Sequence, residues 1–146
     1  MRKRLLEVMA ALAAGVLFVG AGAFSISISQ PYLRLIPGVP AAGYFAITNH
    51  ASEPLVLTGV QSFDCGSVAM HKSSTSGGMA RMEAVASVTI TRGQRLAFAP
   101  GGYHLMCTNP APRLRVGGTA KITLKFANGQ TSDVTFYVVN ARGGTQ

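Results

Sequence analysis

The sequence has 146 residues, of which 48% are hydrophobic and 12% are charged, and its formal net charge is +8. This length predicts a single domain with room for a hydrophobic core. The lysines and arginines are scattered, with no patch of basic and aromatic residues, so the charge does not indicate nucleic-acid binding. We expect instead a solvated basic surface that can associate with an anionic membrane.

The first 24 residues differ from the rest of the chain. A basic start, MRKR, precedes an apolar run of 17 residues, and Ala21-Gly22-Ala23 has the A-x-A pattern of a cleavage site. This order predicts a signal peptide over residues 1–23 and an exported domain over residues 24–146. The exported domain keeps 10 basic and 4 acidic residues, a net charge of +6. An uncleaved membrane anchor is the alternative, since such a run is at the short limit for crossing a bilayer.

Short strands and turns follow. Segments rich in Val, Ile, Thr, Phe and Tyr predict nine strands, at residues 25–29, 42–49, 54–60, 67–71, 87–90, 95–99, 103–107, 120–126 and 133–139. Asn128-Gly129 predicts a tight hairpin turn, and residues 74–78, STSGG, are typical of a flexible loop. No segment has a helical apolar period, so the pattern predicts an all-β fold, an antiparallel β-sandwich or barrel.

Methionines and histidines cluster between residues 70 and 106. All four methionines of the exported domain and two of its three histidines lie in this window. In strand 103–107, His104 and Met106 share a face because side chains alternate along a strand. His71 ends strand 67–71, and Met82 follows the predicted loop. These four residues are the candidate metal ligands, with Met79 as a substitute for Met82.

The chemistry of this set favours a soft metal. Thioether sulfur is neutral and polarizable, it favours Cu(I), and it loses no proton on binding. Imidazole nitrogen also binds copper. The cluster therefore predicts one Cu(I) per chain, held by ligands that would yield it to a thiolate-rich acceptor. Such behaviour suits a carrier of copper and not a catalyst.

The two cysteines, Cys65 and Cys107, lie 42 residues apart in no C-x-x-C motif. In an oxidising compartment such an isolated pair favours a disulfide, which the chain-entropy treatment of a loop this long values at about 4 kcal/mol. Strand alternation turns Cys107 away from Met106 and toward the core. Free thiols that receive copper transiently are the alternative.

The spacing of the candidate ligands resembles a known family. Ten residues separate His71 from Met82, and twenty-one separate Met82 from the sequence His104-Leu105-Met106. Periplasmic copper chaperones of the PCu(A)C type carry this pattern, H-(M)-x10-M-x21-H-x-M. The segments YFAITNHASEPLVLTGV, VAMHKS, GMARME and APGGYHLM are also similar to the family, and the resemblance covers about residues 42–140.

The resemblance implies a cupredoxin-like β-sandwich that holds Cu(I) in the periplasm. It also implies two partners, a Sco-type thiol copper protein and the copper subunit of cytochrome c oxidase, whose binuclear copper centre would receive the ion. We expect a monomer. We do not expect an enzyme, because the four acidic residues of the exported domain are dispersed and no catalytic triad is evident.

Two other copper functions stay open. A periplasmic copper buffer or resistance protein would use the same ligands, so the sequence does not separate it from a donor. A blue-copper electron-transfer protein would need a cysteine thiolate with two histidines and a weak axial methionine. No histidine follows Cys107, which makes the blue-copper function the less favoured of the two.

Overall fold

The computed structural model describes residues 25–146, which form ten β-strands joined by turns and loops. The predicted signal peptide or anchor over residues 1–23 lies outside the described residues. Within residues 25–146 no helix is long and apolar enough to cross a membrane. The strands are β1 (Ile26–Arg34), β2 (Ala41–Asn49), β3 (Leu55–Gln61), β4 (Cys65–Ser76), β5 (Met79–Ala84), β6 (Val88–Ile90), β7 (Arg95–Phe98), β8 (Tyr103–Pro110), β9 (Thr119–Phe126) and β10 (Thr131–Val139).

The strands pair in the order β5-β4-β8-β2-β1-β10-β9-β3-β6, and β7 also pairs with β2. The predicted all-β fold is confirmed. One pair departs from the expected antiparallel arrangement, because β1 lies parallel to β10. Parallel neighbours need a long connection between them, and nearly the whole domain separates the first strand from the last. The sheet is therefore mixed.

The core lies on one side of these strands, where alternate side chains point inward. Along β9 every second residue is buried, and the same alternation continues in β10. Phe136 of β10 meets Phe45 of β2 edge-on, with ring centroids 5.8 Å apart, and Phe98 of β7 contacts Phe45 in a tilted arrangement at 4.6 Å. Since β2 and β10 are not paired with each other, the contact of Phe45 with Phe136 lies across the core, as between the facing strands of a sandwich.

A β-hairpin replaces the predicted flexible loop at residues 74–78. Strand β4 continues to Ser76, β5 begins at Met79, and the two-residue turn is Gly77-Gly78, with φ of +59° and +76°. Glycine adopts this left-handed conformation without steric penalty, and such turns match the twist of a hairpin. The loop prediction was wrong because residues 74–84, which form the end of β4, the turn and β5, are all exposed. The hairpin therefore has no alternation of apolar residues by which its strands could be identified.

The predicted disulfide is present and joins Cys65 at the start of β4 to Cys107 in β8, with the two Cα atoms 5.4 Å apart. Both cysteines are buried, and residues 25–146 contain no free cysteine. The bond links two strands that are also paired by backbone hydrogen bonds. It therefore fixes the β4–β8 pair near one end, a few residues from the candidate ligands.

Candidate metal centre

Three adjacent strands present the four predicted ligands on one face. In the β4–β8 ladder His71 lies opposite His104, and the centroids of their imidazole rings are 5.7 Å apart. Met106 shares the face of His104, since it lies two residues further along β8. In the hairpin, Met82 lies opposite Ser73, which is two residues from His71. The strand register therefore brings all four side chains to one surface of β5, β4 and β8.

A cavity of about 270 Å³ lies at this surface. Met82, His104 and Met106 line it, and the His71 ring adjoins it through its contact with His104. The remaining wall comes from the β2 side and from β4: Pro40, Ala41, Ala42, Tyr44 and Ser73. A space of this size, bordered by two sulfur atoms and an imidazole, can admit a metal ion.

The backbone holds His104 in one orientation. Its Nδ1 atom lies 3.3 Å from the carbonyl oxygen of Gly102, and a carbonyl can only accept a hydrogen bond, so Nδ1 carries the proton. The same carbonyl accepts the amide hydrogen of Ser73 at 2.9 Å. His104 is only 6% exposed. This arrangement leaves Nε2 of His104 with a free lone pair, which is the form that binds a metal.

His71 has a buried ring nitrogen with no hydrogen-bond partner in the protein, Nδ1. An unpaired buried polar atom is unfavourable in a folded protein, and a metal ion would satisfy it. Burial lowers the pKa of His71 below its ordinary value, and the electrostatic influence of the neighbouring His104 ring lowers it further. His71 therefore stays neutral to lower pH, as a metal ligand must.

The donor set fits a soft ion. Among residues 25–146 no group of three or more His, Cys, Asp or Glu side chains is arranged to hold a metal. Two neutral imidazoles and two thioethers meet at the cavity instead. Soft thioether ligands select Cu(I) over the harder divalent ions, and imidazole also binds copper, so the residues present fit Cu(I).

A family profile described as "Putative lipoprotein LpqE-like" matches residues 26–138. The chain belongs to this LpqE-like family. Its PCuAC-type character is supported by solved structures, so the resemblance stated from the sequence is confirmed. A curated relative, a "Putative lipoprotein" of Leifsonia xyli subsp. xyli, is 27% identical over 128 residues, which cover 87% of this chain and 77% of the relative.

Several solved structures are similar to this LpqE-like chain. The copper-bound PCuAC domain from PmoF2 is 27% identical with a TM-score of 0.66, and the match covers 81% of this chain and 96% of that domain. Apo-DR1885 from Deinococcus radiodurans is 29% identical with a TM-score of 0.63, covering 99% and 97% of the two chains. The Cu(I) form of DR1885 is 30% identical with a TM-score of 0.58, covering 88% and 85%.

Tyr44 borders the site of this LpqE-like protein, a role that its position in a predicted strand did not indicate. Its ring centroid lies 6.4 Å from that of His104, and the Arg34 guanidinium lies 5.5 Å from the Tyr44 ring centroid on the neighbouring strand. Burial raises the pKa of Tyr44 despite the opposing charge of Arg34. The phenol therefore stays protonated at neutral pH and forms a wall of the cavity. Only the long-range pairing of β2 with β8 places it there.

The other methionines and the third histidine lie apart from the cavity. Met70 is 4% exposed and belongs to the core, on the face of β4 opposite to His71. Met79 pairs with Ser76 beside the hairpin turn and is 65% exposed. Alternation along β5 directs it away from the face of Met82, so its role as a substitute ligand stays a prediction. His50 is near the surface, with Nε2 2.9 Å from the Ser27 hydroxyl.

Proposed function

We propose that this domain is a copper chaperone that holds one Cu(I) ion through His71, Met82, His104 and Met106. One observation carries the proposal: the four side chains converge on one face, beside a cavity, with Nδ1 of His71 buried and unpaired. The similarity to copper-bound PCuAC domains supports the same function. No step changes the oxidation state of the ion, so the protein acts as a carrier and not as an enzyme.

The ligand set suits transfer because every donor is neutral. Cu(I) binds thiolate more strongly than thioether, so an acceptor with cysteine ligands would draw the ion away. Transfer then occurs by ligand exchange, in which an acceptor thiolate takes the place of one protein ligand at a time. The copper stays Cu(I) throughout, and no thioether needs to gain or lose a proton.

The positions of the ligands in the strands predict the order in which an acceptor displaces them. Met82 is 53% exposed and lies on β5, which within residues 25–146 is an edge strand paired with β4 alone. His104 is buried on β8, which pairs with both β4 and β2, and its ring is held by the carbonyl of Gly102 just before that strand. Local opening is easiest where few contacts hold a segment. Met82 is therefore the first ligand that an acceptor displaces, and His104 the last.

The disulfide bears on the blue-copper alternative. That kind of site needs a cysteine thiolate, and the bond between Cys65 and Cys107 leaves neither sulfur free within the described residues. We therefore do not propose electron transfer. For location we propose the periplasm, with the exported domain a monomer.

For partners we propose a Sco-type thiol copper protein and the copper subunit of cytochrome c oxidase, whose binuclear centre would receive the copper. This part of the proposal is supported by the PCuAC resemblance alone. A periplasmic copper buffer is the second candidate, supported by the partly exposed ligand Met82, from which many acceptors could take copper. Deletion of the gene separates the two functions. A donor predicts loss of oxidase activity at low copper, whereas a buffer predicts copper sensitivity with normal oxidase activity.

Titration of the apoprotein with Cu(I) against a competing chelator tests the ligand assignment. We expect one equivalent to bind tightly, and the double substitution Met82→Leu and Met106→Leu to weaken binding by orders of magnitude while the fold is kept. Met79→Leu is the matched control, since Met79 lies on the same strand outside the cavity. Unchanged affinity in the double variant would overturn the assignment.

A further inference from the structure

The four methionines of the described chain differ widely in their access to solvent. Met79 and Met82 are 65% and 53% exposed, Met106 is partly buried, and Met70 is 4% exposed. Oxidation of a methionine thioether depends on whether an oxidant can reach the sulfur. Among the two sulfur ligands of the proposed copper site, Met82 is therefore the one that a small oxidant reaches first.

We propose that Met82 is a site of reversible oxidation that switches the copper site off. Hydrogen peroxide transfers one oxygen atom to the Met82 sulfur, the O–O bond breaks, and water leaves, so sulfur loses two electrons and peroxide gains them. The product is methionine sulfoxide, which a methionine sulfoxide reductase can return to the thioether. The consequence for copper rests on the function proposed above.

The sulfoxide is a poor ligand for Cu(I). Oxidation ties up a sulfur lone pair and adds a hard, polar oxygen, whereas Cu(I) prefers soft and polarizable donors. The site would keep His71, His104 and Met106 as ligands. Loss of a residue that only hydrogen-bonds to a metal ligand already weakens metal binding by about tenfold or more, so we expect loss of the Met82 ligand to lower Cu(I) affinity by at least about tenfold. Copper would then leave the carrier in an oxidising environment.

The position of Met82 lets this change occur without unfolding. Every residue of β5 is exposed, so an added oxygen at Met82 stays in water. The same change at Met70 would place a polar group among core side chains and would disrupt packing. Oxidation at Met82 therefore alters the metal site and leaves the sandwich intact.

Met79 provides an internal comparison in the same strand. It is as exposed as Met82, but it lies outside the cavity and on the opposite face of β5. A bound metal ion should occupy the sulfur of Met82 and leave that of Met79 free. Bound metal should therefore slow the oxidation of Met82 and leave the rate at Met79 unchanged. If the two rates differed only because the residues differ in exposure, bound metal would change neither rate.

The test maps oxidation in the full exported domain. The apoprotein and the protein loaded with Ag(I) are treated with hydrogen peroxide in chloride-free buffer, and each sulfoxide is measured by peptide mass spectrometry. Ag(I) is the probe because it is a soft monovalent ion that does not cycle with peroxide as copper does. In the apoprotein we expect Met79 and Met82 to react about tenfold faster than Met70, in line with exposure. With Ag(I), Met82 should be protected and Met79 should not.

Cu(I) affinity is then measured on untreated and treated protein. We expect oxidised Met79→Leu protein to lose at least about tenfold in affinity, with an unchanged circular dichroism spectrum, and a reductase to restore it. Unchanged affinity in protein fully oxidised at Met82, or equal protection of Met79 and Met82 by Ag(I), would overturn the inference. If the untreated protein does not bind Cu(I), the proposed function fails, whatever the oxidation map shows.

Discussion

Removal of the Cys65–Cys107 disulfide should lower the stability of the domain by about 4 kcal/mol. The two cysteines are 42 residues apart, and the loop-closure relation gives an entropy of about 13 cal/mol/K for a loop of that length, or about 4 kcal/mol at 25 °C. Residues 25–146 form a domain of roughly 120 residues, whose unfolding entropy is about 250 cal/mol/K. The melting temperature should therefore fall by about 16 °C.

The assay is thermal unfolding followed by circular dichroism, on wild-type protein with the disulfide intact and after reduction. Reduction keeps both sulfur atoms in the core, whereas the double variant Cys65→Ala and Cys107→Ala also removes buried volume. The variant should therefore be at least as unstable as the reduced protein. A melting temperature that falls by less than about 4 °C on full reduction would refute the reasoning, because the bond would then stabilise the domain by only about 1 kcal/mol.

Three further predictions follow from the site and its hairpin. The imidazole of His71 should titrate below pH 6.5 in the apoprotein, as followed by NMR, because burial and His104 lower its pKa. The unfolded chain then binds this proton more readily, so apoprotein stability should fall as pH drops below 6.5. Gly78→Ala places a side chain at φ +76° and should destabilise the β4–β5 hairpin by about 1 kcal/mol, seen as faster amide exchange in β5. Tyr44→Phe should leave Cu(I) affinity within about threefold, since the protonated phenol is not expected to be a ligand.

Each of these has a clear contrary result. A His71 pKa at or above 6.5 would show that the imidazole is not held in a desolvated position. Equal acceleration of exchange in β9 and β5 would mean that Gly78 affects the whole domain and not the hairpin. Loss of tight Cu(I) binding in Tyr44→Phe would make the phenol oxygen a direct partner of the ion. Gly59→Ala is the glycine control, because Gly59 has no positive φ and open space around its Cα.

Local patterns were enough to predict how the side chains of β8 are arranged at the candidate site. Alternation along strand 103–107 assigned His104 and Met106 to one face and Cys107 to the other, and the structure has them so. The Asn128-Gly129 turn was also predictable, because this dipeptide between two strongly alternating strands is typical of a hairpin. In the structure Gly129 takes φ +85° between β9 and β10. In both places the residues that decide the conformation lie within a few positions of one another.

Long-range pairing was not predictable in the same way. The parallel contact of β1 with β10 and the approach of Tyr44 to His104 depend on strands that are distant in sequence. Strand β5 was missed for another reason, since it is solvated on both faces and is held by the glycine turn and its backbone pairing with β4. An alternating pattern of apolar residues indicates a strand with one buried face, so it cannot identify a strand that is exposed on both faces.

We claim above all that two imidazole nitrogens and two thioether sulfurs surround one Cu(I). X-ray absorption spectroscopy at the copper K edge of the loaded protein tests it most directly. We predict a shell of two sulfur and two nitrogen scatterers, and the loss of one sulfur in Met82→Leu and of one in Met106→Leu. A shell of nitrogen and oxygen alone, or a sulfur shell that neither substitution changes, would contradict the claim.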